Sequence, residues 1–179
     1  MAEYKRLDRK LIRNGQIIDI YSDTIELPDG RKAEWDFIGH KGAAAIVPVD
    51  EDGNIIMVRQ YRNAIDRQTI EIPAGGINKG EKPIDAAARE LEEETGYKAG
   101  NIDHLIDLYT TVAYSNEMIY VYYTTKLIPS KQHLDDDEYV EVERYSLEEL
   151  KQMILAGKIQ DAKTIGSILA YDALRQKMQ

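Results

Sequence analysis

Four glutamates, Glu90, Glu92, Glu93 and Glu94, crowd into five consecutive residues of this chain. On a helix, like-charged side chains one turn apart repel by roughly 0.2–0.5 kcal/mol per pair. They also stand close to Gly96, where a helix would end and its macrodipole disfavours anions. A carboxylate stripe kept against its own electrostatics points to a cation. Carboxylate oxygens are hard ligands, and beside glycine-containing loops they suit Mg²⁺ or Mn²⁺, which bind through a few carboxylates and the phosphates of a substrate. The plain alternative is a solvated acidic helix face.

The element that must carry these groups is a helix. Pro83 suits its first turn, where no backbone N–H is needed. Neither Gly nor Pro interrupts Ile84 to Thr95, and Gly96 is placed to close the helix in the left-handed conformation. At about 100° per residue, Ile84, Ala87, Ala88, Leu91 and Thr95 fall on one face and Glu90, Glu93 and Glu94 on another. The pattern runs beyond the helix. Gly75, Glu81, Arg89-Glu90-Leu91, Glu93-Glu94 and Gly96-Tyr97 specify nine positions over twenty-three residues, all at the offsets of the Nudix box.

In this stretch the chain resembles a Nudix hydrolase. The resemblance implies an α/β fold, an α/β/α sandwich, and metal-assisted hydrolysis of a nucleoside diphosphate linked to another moiety. Within the family, the likeness extends to the ADP-ribose pyrophosphatase branch. That branch implies metal held by the Ala74 carbonyl and by Glu90, Glu94 and Glu93. It also implies a general base on a later loop rather than on the helix. Ser130 to Val140 is such a loop, with Asp135-Asp136-Asp137-Glu138. Glu138 is the chosen base, with Glu93 also assigned a catalytic part; Asp136, Asp137 and Glu141 are the neighbours of Glu138, and a mobile acidic loop is the plain reading. The expected substrate is a nucleoside diphosphate sugar, ADP-ribose first and GDP-mannose as the rival. A nucleotide-binding regulator without turnover is the reading from another class. Arg89 is expected to fix a carboxylate, Glu81 to orient the loop or help with an outer metal, and Glu92 to be solvated.

Other elements supply the substrate's surroundings. Ala43 to Val49 is a continuous apolar run, as in a strand buried on both faces. Asp50 to Asn54 reads as a hairpin loop, with Ile55 to Tyr61 returning as the partner strand. That strand ends in Arg59-Gln60-Tyr61-Arg62. Arginine binds phosphate bidentately, so Arg59 and Arg62 are candidate pyrophosphate clamps, or else a pair of surface charges. Thr69 to Pro73 is a short strand leading to Ala74-Gly75-Gly76, and Glu71 on it is either structural or a ribose contact. Between strands at 102–110 and 118–125 lies Thr111 to Glu117. The ADP-ribose pyrophosphatase pattern places Ser-Pro-Gly here; this chain keeps Ser115 and Glu117 without the proline or glycine. Glu117 is still assigned to substrate binding.

Residues 1–40 read as a separate N-terminal β element, ahead of a Nudix domain at 41–179. Its strands run through Ile17 to Leu27 and back through Ala33 to Ile38, about the turn Pro28-Asp29-Gly30. So small a hairpin is marginal alone. The branch resemblance implies that it is exchanged within a homodimer and helps to hold adenine. Trp35 is then either a core or interface anchor or a base-stacking residue. Ser146 to Glu149 is a capping box opening one helix, and Asp161 caps a last one.

The 179 residues, 43% hydrophobic, are enough for one substantial core. A net charge of −9 without a basic cluster excludes a nucleic-acid surface. No run approaches the length of a membrane span. The absence of cysteine and of an apolar leader gives a soluble cytoplasmic protein as the expectation.

Overall fold

The apolar run at 43–49 becomes the strand from which the larger unit is built. In this computed structural model, which describes residues 3–134, 136 and 138–178, the strand is fully buried. The chain forms two compact units. One comprises the described residues up to Gly42 together with Tyr109–Met118; the other comprises Ala43–Leu108 and the chain from Ile119 onward. The boundary expected at residue 40 leaves out that second segment.

The first unit is an antiparallel sheet of β1 (Lys5–Asn14), β2 (Asp19–Glu26) and β3 (Lys32–Gly39), with β2 central. β1 escapes the sequence reading. Six of its ten residues are charged and nearly all are exposed, so it has no period-two apolar signal. Pairing with β2, rather than a buried face of its own, makes it a strand. Arg9 forks Asp23 at 2.6 Å through Nε and Nη2 and lies over the Phe37 ring at 3.5 Å.

In the second unit the order is β4 (Ala43–Pro48), β5 (Asn54–Arg62), β6 (Arg67–Glu71), β7 (Ala74–Gly76), α1 (Pro83–Thr95), β8 (Tyr97–Ala99), β9 (Asp103–Tyr109), β10 (Met118–Thr124), β11 (Leu127–Pro129), β12 (Val140–Ser146), α2 (Leu147–Leu155) and α3 (Ala162–Met178). One sheet runs β7-β4-β10-β9, with β10 parallel to β4; a second runs β12-β5-β6. The expectation that β5 pairs with β4 is therefore corrected. A single bridge, Val49 to Ile55, joins them, and the turn at Asp50 carries the chain from one sheet to the other.

Side chains of a strand alternate between faces, and on β4 both are buried. Ala44 and Ile46 pack with Ala86, Ala87 and Leu91 of α1. Ala45 and Val47 pack with Leu147 and Leu150 of α2 and Ile168 and Tyr171 of α3. The result is the expected α/β/α sandwich. Ser146 completes its capping box with Glu149, and Asp161 caps α3 through the Thr164 N–H at 3.0 Å.

Candidate active site

Helix α1 starts at Pro83 and ends at Gly96, whose φ of 72° places it in the left-handed region. The buried face is rotated from the expected one. Ala86, Ala87, Leu91, Glu94 and Thr95 are buried, while Ile84 is exposed and Ala88 only half-buried. The three glutamates therefore do not share one environment. Glu94 is 4% exposed, Glu90 is largely covered, and Glu93 keeps 37% of its side chain in solvent.

Arg89 organises this cluster. Its guanidinium donates to Glu81 at 2.8 and 3.1 Å, Glu90 at 2.6 Å, Glu93 at 2.7 Å and the Gly76 carbonyl at 2.9 Å. Glu81 also accepts the Asn78 N–H at 2.8 Å, so it holds the loop leading into α1. These bonds, that to Glu81 foremost, raise the Arg89 pKa above its ordinary value. Glu92 is not free in solvent as expected: it accepts from Ser130 Oγ at 2.6 Å and pairs with Lys98 at 3.3 Å.

Glu94 accepts the Ala74 N–H at 3.0 Å. Burial, and then the negative charges of Glu90 and Glu138, push its carboxyl up to about 8 despite that bond. Burial also raises Glu90, with Glu93 and Glu138 adding to the shift. Glu138 thus acts electrostatically on both carboxylates, although it is far from them in sequence. Gly75 leaves the room that Glu90 occupies: a Cβ there would run into the Glu90 carboxylate, which would have to move. Of the neighbours weighed beside Glu138, Asp136 lies in a turn and Asp137, like Asp135, falls outside the described residues.

The donor set fits a divalent cation in chemistry and charge. Arg89 uses one oxygen each of Glu90 and Glu93, and Ala74 uses one of Glu94. No side chain or backbone N–H among the described residues donates to the second oxygen of any of the three, and burial, with neighbouring negative charge, raises the pKa of Glu90 and Glu94. Among the described residues, no three His, Asp or Glu side chains already stand together in metal-ligating geometry.

Both arginines of β5 already hold carboxylates. Arg59 forks Glu143 at 2.8 and 3.1 Å. Arg62 forks Glu71 at 2.8 and 2.7 Å. Glu71 is buried, and Lys163 is its other cationic partner. Burial alone would raise its pKa, yet Arg62 and Lys163 together bring it down to about 2, so the carboxylate is held ionised between two cations. The charge of Arg62 nonetheless reaches Glu94 and partly offsets that residue's upward shift.

Within the N-terminal unit, Trp35 is not a core residue. It is 48% exposed on β3, with its ring 5.7 Å from that of Tyr4. Glu117 accepts from Thr110 Oγ1 at 2.7 Å and stands 3.6 Å from His40 Nδ1. His40 thus has a carboxylate neighbour that its position in the sequence does not announce. The polar segment Ser130–His133, read from the sequence only as the start of the loop that carries Glu138, donates hydrogen bonds to the C-terminal end of α1. Nothing in its residue types foretells that.

The NUDIX-domain family model matches residues 39–165. The chain is 37% identical to an ADP-ribose pyrophosphatase of Bacillus subtilis over 99% of its length and 96% of the relative's. It is 36% identical to a methanol dehydrogenase activator of Bacillus methanolicus, covering 92% and 90% of the two chains. A crystal structure described as an ADP compounds hydrolase superposes with a TM-score of 0.87 at 19% identity, over 98% and 96% of the chains, a likeness of fold. With a complete Nudix box running from Gly75 through α1 to Tyr97 and the sandwich that presents it, the chain belongs to the NUDIX-domain family.

Proposed function

We propose that this protein hydrolyses the pyrophosphate bond of a nucleoside diphosphate sugar, ADP-ribose in the first place, giving AMP and ribose 5-phosphate. The observation that carries the reading is the buried cluster of Glu90 and Glu94, both with raised pKa values and both under the charge of Glu138. The name of the Bacillus subtilis relative supports the choice of ADP-ribose.

The Ala74 carbonyl, Glu90, Glu93 and Glu94 are the groups to hold Mg²⁺, or Mn²⁺ in its place. The bound ion supplies positive charge to the diphosphate oxygens and to the departing phosphate. Glu138 accepts a proton from the attacking water as its oxygen bonds to phosphorus, and the bridging P–O bond breaks with its electron pair leaving on the released phosphate. Arg89 keeps Glu90 and Glu93 in place through its fork. Arg59 and Arg62 are proposed to bind the diphosphate, and Trp35 and Glu117 the nucleoside and sugar portions. The exposed Tyr4, Leu11, Ile12 and Trp35 support a homodimer through the N-terminal sheet. The cytoplasm is the proposed location; no described helix is long and apolar enough to cross a membrane.

The test is a substrate panel with Mg²⁺ and coupled phosphate release. ADP-ribose is expected to outrun unrelated dinucleotides; equal rates sink the assignment. The loop Thr111 to Glu117, without the family's proline and glycine, favours a second reading with another sugar nucleotide such as GDP-mannose. A third, a regulator without turnover, draws on the relative named for activating a dehydrogenase. Absence of turnover for every member of the panel would establish that one instead.

A further inference from the structure

Three backbone carbonyls at the C-terminal end of α1 take hydrogen bonds from one later segment. The Ser130 N–H donates to Gly96 O at 2.7 Å and the His133 N–H to Glu93 O at 3.0 Å. Gln132 Nε2 donates to Glu94 O at 2.7 Å. The last carbonyls of a helix have no partner inside it, and this segment provides them. Gly96 permits the approach, since a Cβ there would stand 3.0 Å from Gln132 N. The same Gln132 Nε2 also donates to Val140 O at 3.2 Å. Val140 opens β12, two residues beyond Glu138, and is itself paired with Gln60 of β5. One side-chain amide therefore joins the backbone of Glu94 to the backbone leaving Glu138.

We propose that Gln132 is a positioning residue for hydrolysis: by tying Glu94 O to Val140 O it sets where the Glu138 carboxylate stands relative to the carboxylates of α1. The inference rests on the reading of Glu138 as general base. Gln132 touches no reacting atom. It is exposed, and neutral hydrogen bonds in such a setting add little to stability. What they fix is distance, and displacing a catalytic group by about 1 Å can cost on the order of 100-fold in rate.

The test compares wild type, Gln132→Met, Gln132→Lys and Glu138→Gln for kcat, KM, half-activating Mg²⁺ concentration and melting temperature, with ADP-ribose as substrate. Methionine matches glutamine in length but donates nothing; lysine returns donors to both carbonyls. Gln132→Met is expected to lower kcat about 10-fold, with the other three quantities near wild type, and Gln132→Lys to recover most of the loss. Should the methionine variant fail to fold, Gln132→Asn, too short to reach both carbonyls, takes its place. Unchanged kcat at position 132 beside a crippled Glu138→Gln overturns the role of Gln132 and leaves the base assignment standing. If KM, metal activation and melting temperature all shift with kcat, Gln132 only holds the helix end together and the proposal falls. A fully active Glu138→Gln removes the base assignment itself, and the role of Gln132 with it.

Discussion

Ionising a carboxylate buried as deeply as Glu94 opposes folding. In the unfolded chain the group titrates near 4.5, and in the fold near 8. The folded state holds the proton more tightly, so the stabilisation is complete below pH 4.5 and is lost as the pH rises through about 8. In metal-free buffer above that pH, Glu94→Gln should therefore melt a few degrees higher than wild type. Its hydrolysis should be lower by several orders of magnitude. Added Mg²⁺ should raise the melting temperature of wild type alone, and calorimetry with and without chelator checks both points. Glu71 is equally buried but of opposite sign, its folded pKa of about 2 lying below the ordinary 4.5. Its contribution, on the order of 3 kcal/mol, is present above pH 4.5 and lost as the pH falls towards 2. The stability gap between wild type and Glu71→Gln in urea should narrow over that interval. The sequence shows the type and spacing of the glutamates. It does not show that Arg59 would meet Glu143, 84 residues away, or that Lys163 would reach Glu71 from the start of another helix.

Helix α1 is legible because its start, its stop and its chemistry all lie in one continuous stretch. Which way it faces the core is less so. The helical wheel gives the face to Ile84 and Ala88, whereas packing on β4 draws in Ala86 and the Ala74 N–H of β7 holds the buried Glu94, and neither strand supplies a local signal of that rotation. β1 is hidden for a related reason, since its only cause is the neighbouring strand. Gly75 connects β7 to this helix by the space it leaves for Glu90. Gly75→Ala should fold and lose about 100-fold in kcat, because the Glu90 carboxylate must move; circular dichroism and a rate assay separate the two effects. Ser146→Ala, at the cap of α2, should cost about 1 kcal/mol in a denaturant titration and leave kcat unchanged.

At the scale of the whole molecule, the sandwich follows from a strand apolar on both faces, while the assignment of β5 to a second sheet does not. Nor does the sequence reveal that the N-terminal unit is made from two separated pieces. Tyr109–Met118 belongs to it: the Ile38 N–H donates to Tyr114 O at 2.7 Å, and the His40 N–H to Asn116 Oδ1 at 2.8 Å. Deleting residues 1–42 should raise hydrogen exchange at Asn116, whose N–H donates to Ile38 O. Unchanged protection there would show that the loop keeps its shape unaided. Anyone building a chimera from two relatives therefore has two grafts to make: a transplanted arm arrives without its counterpart unless the insert at 109–118 travels with it, and a single crossover near residue 42 strands one half of the module in the wrong parent.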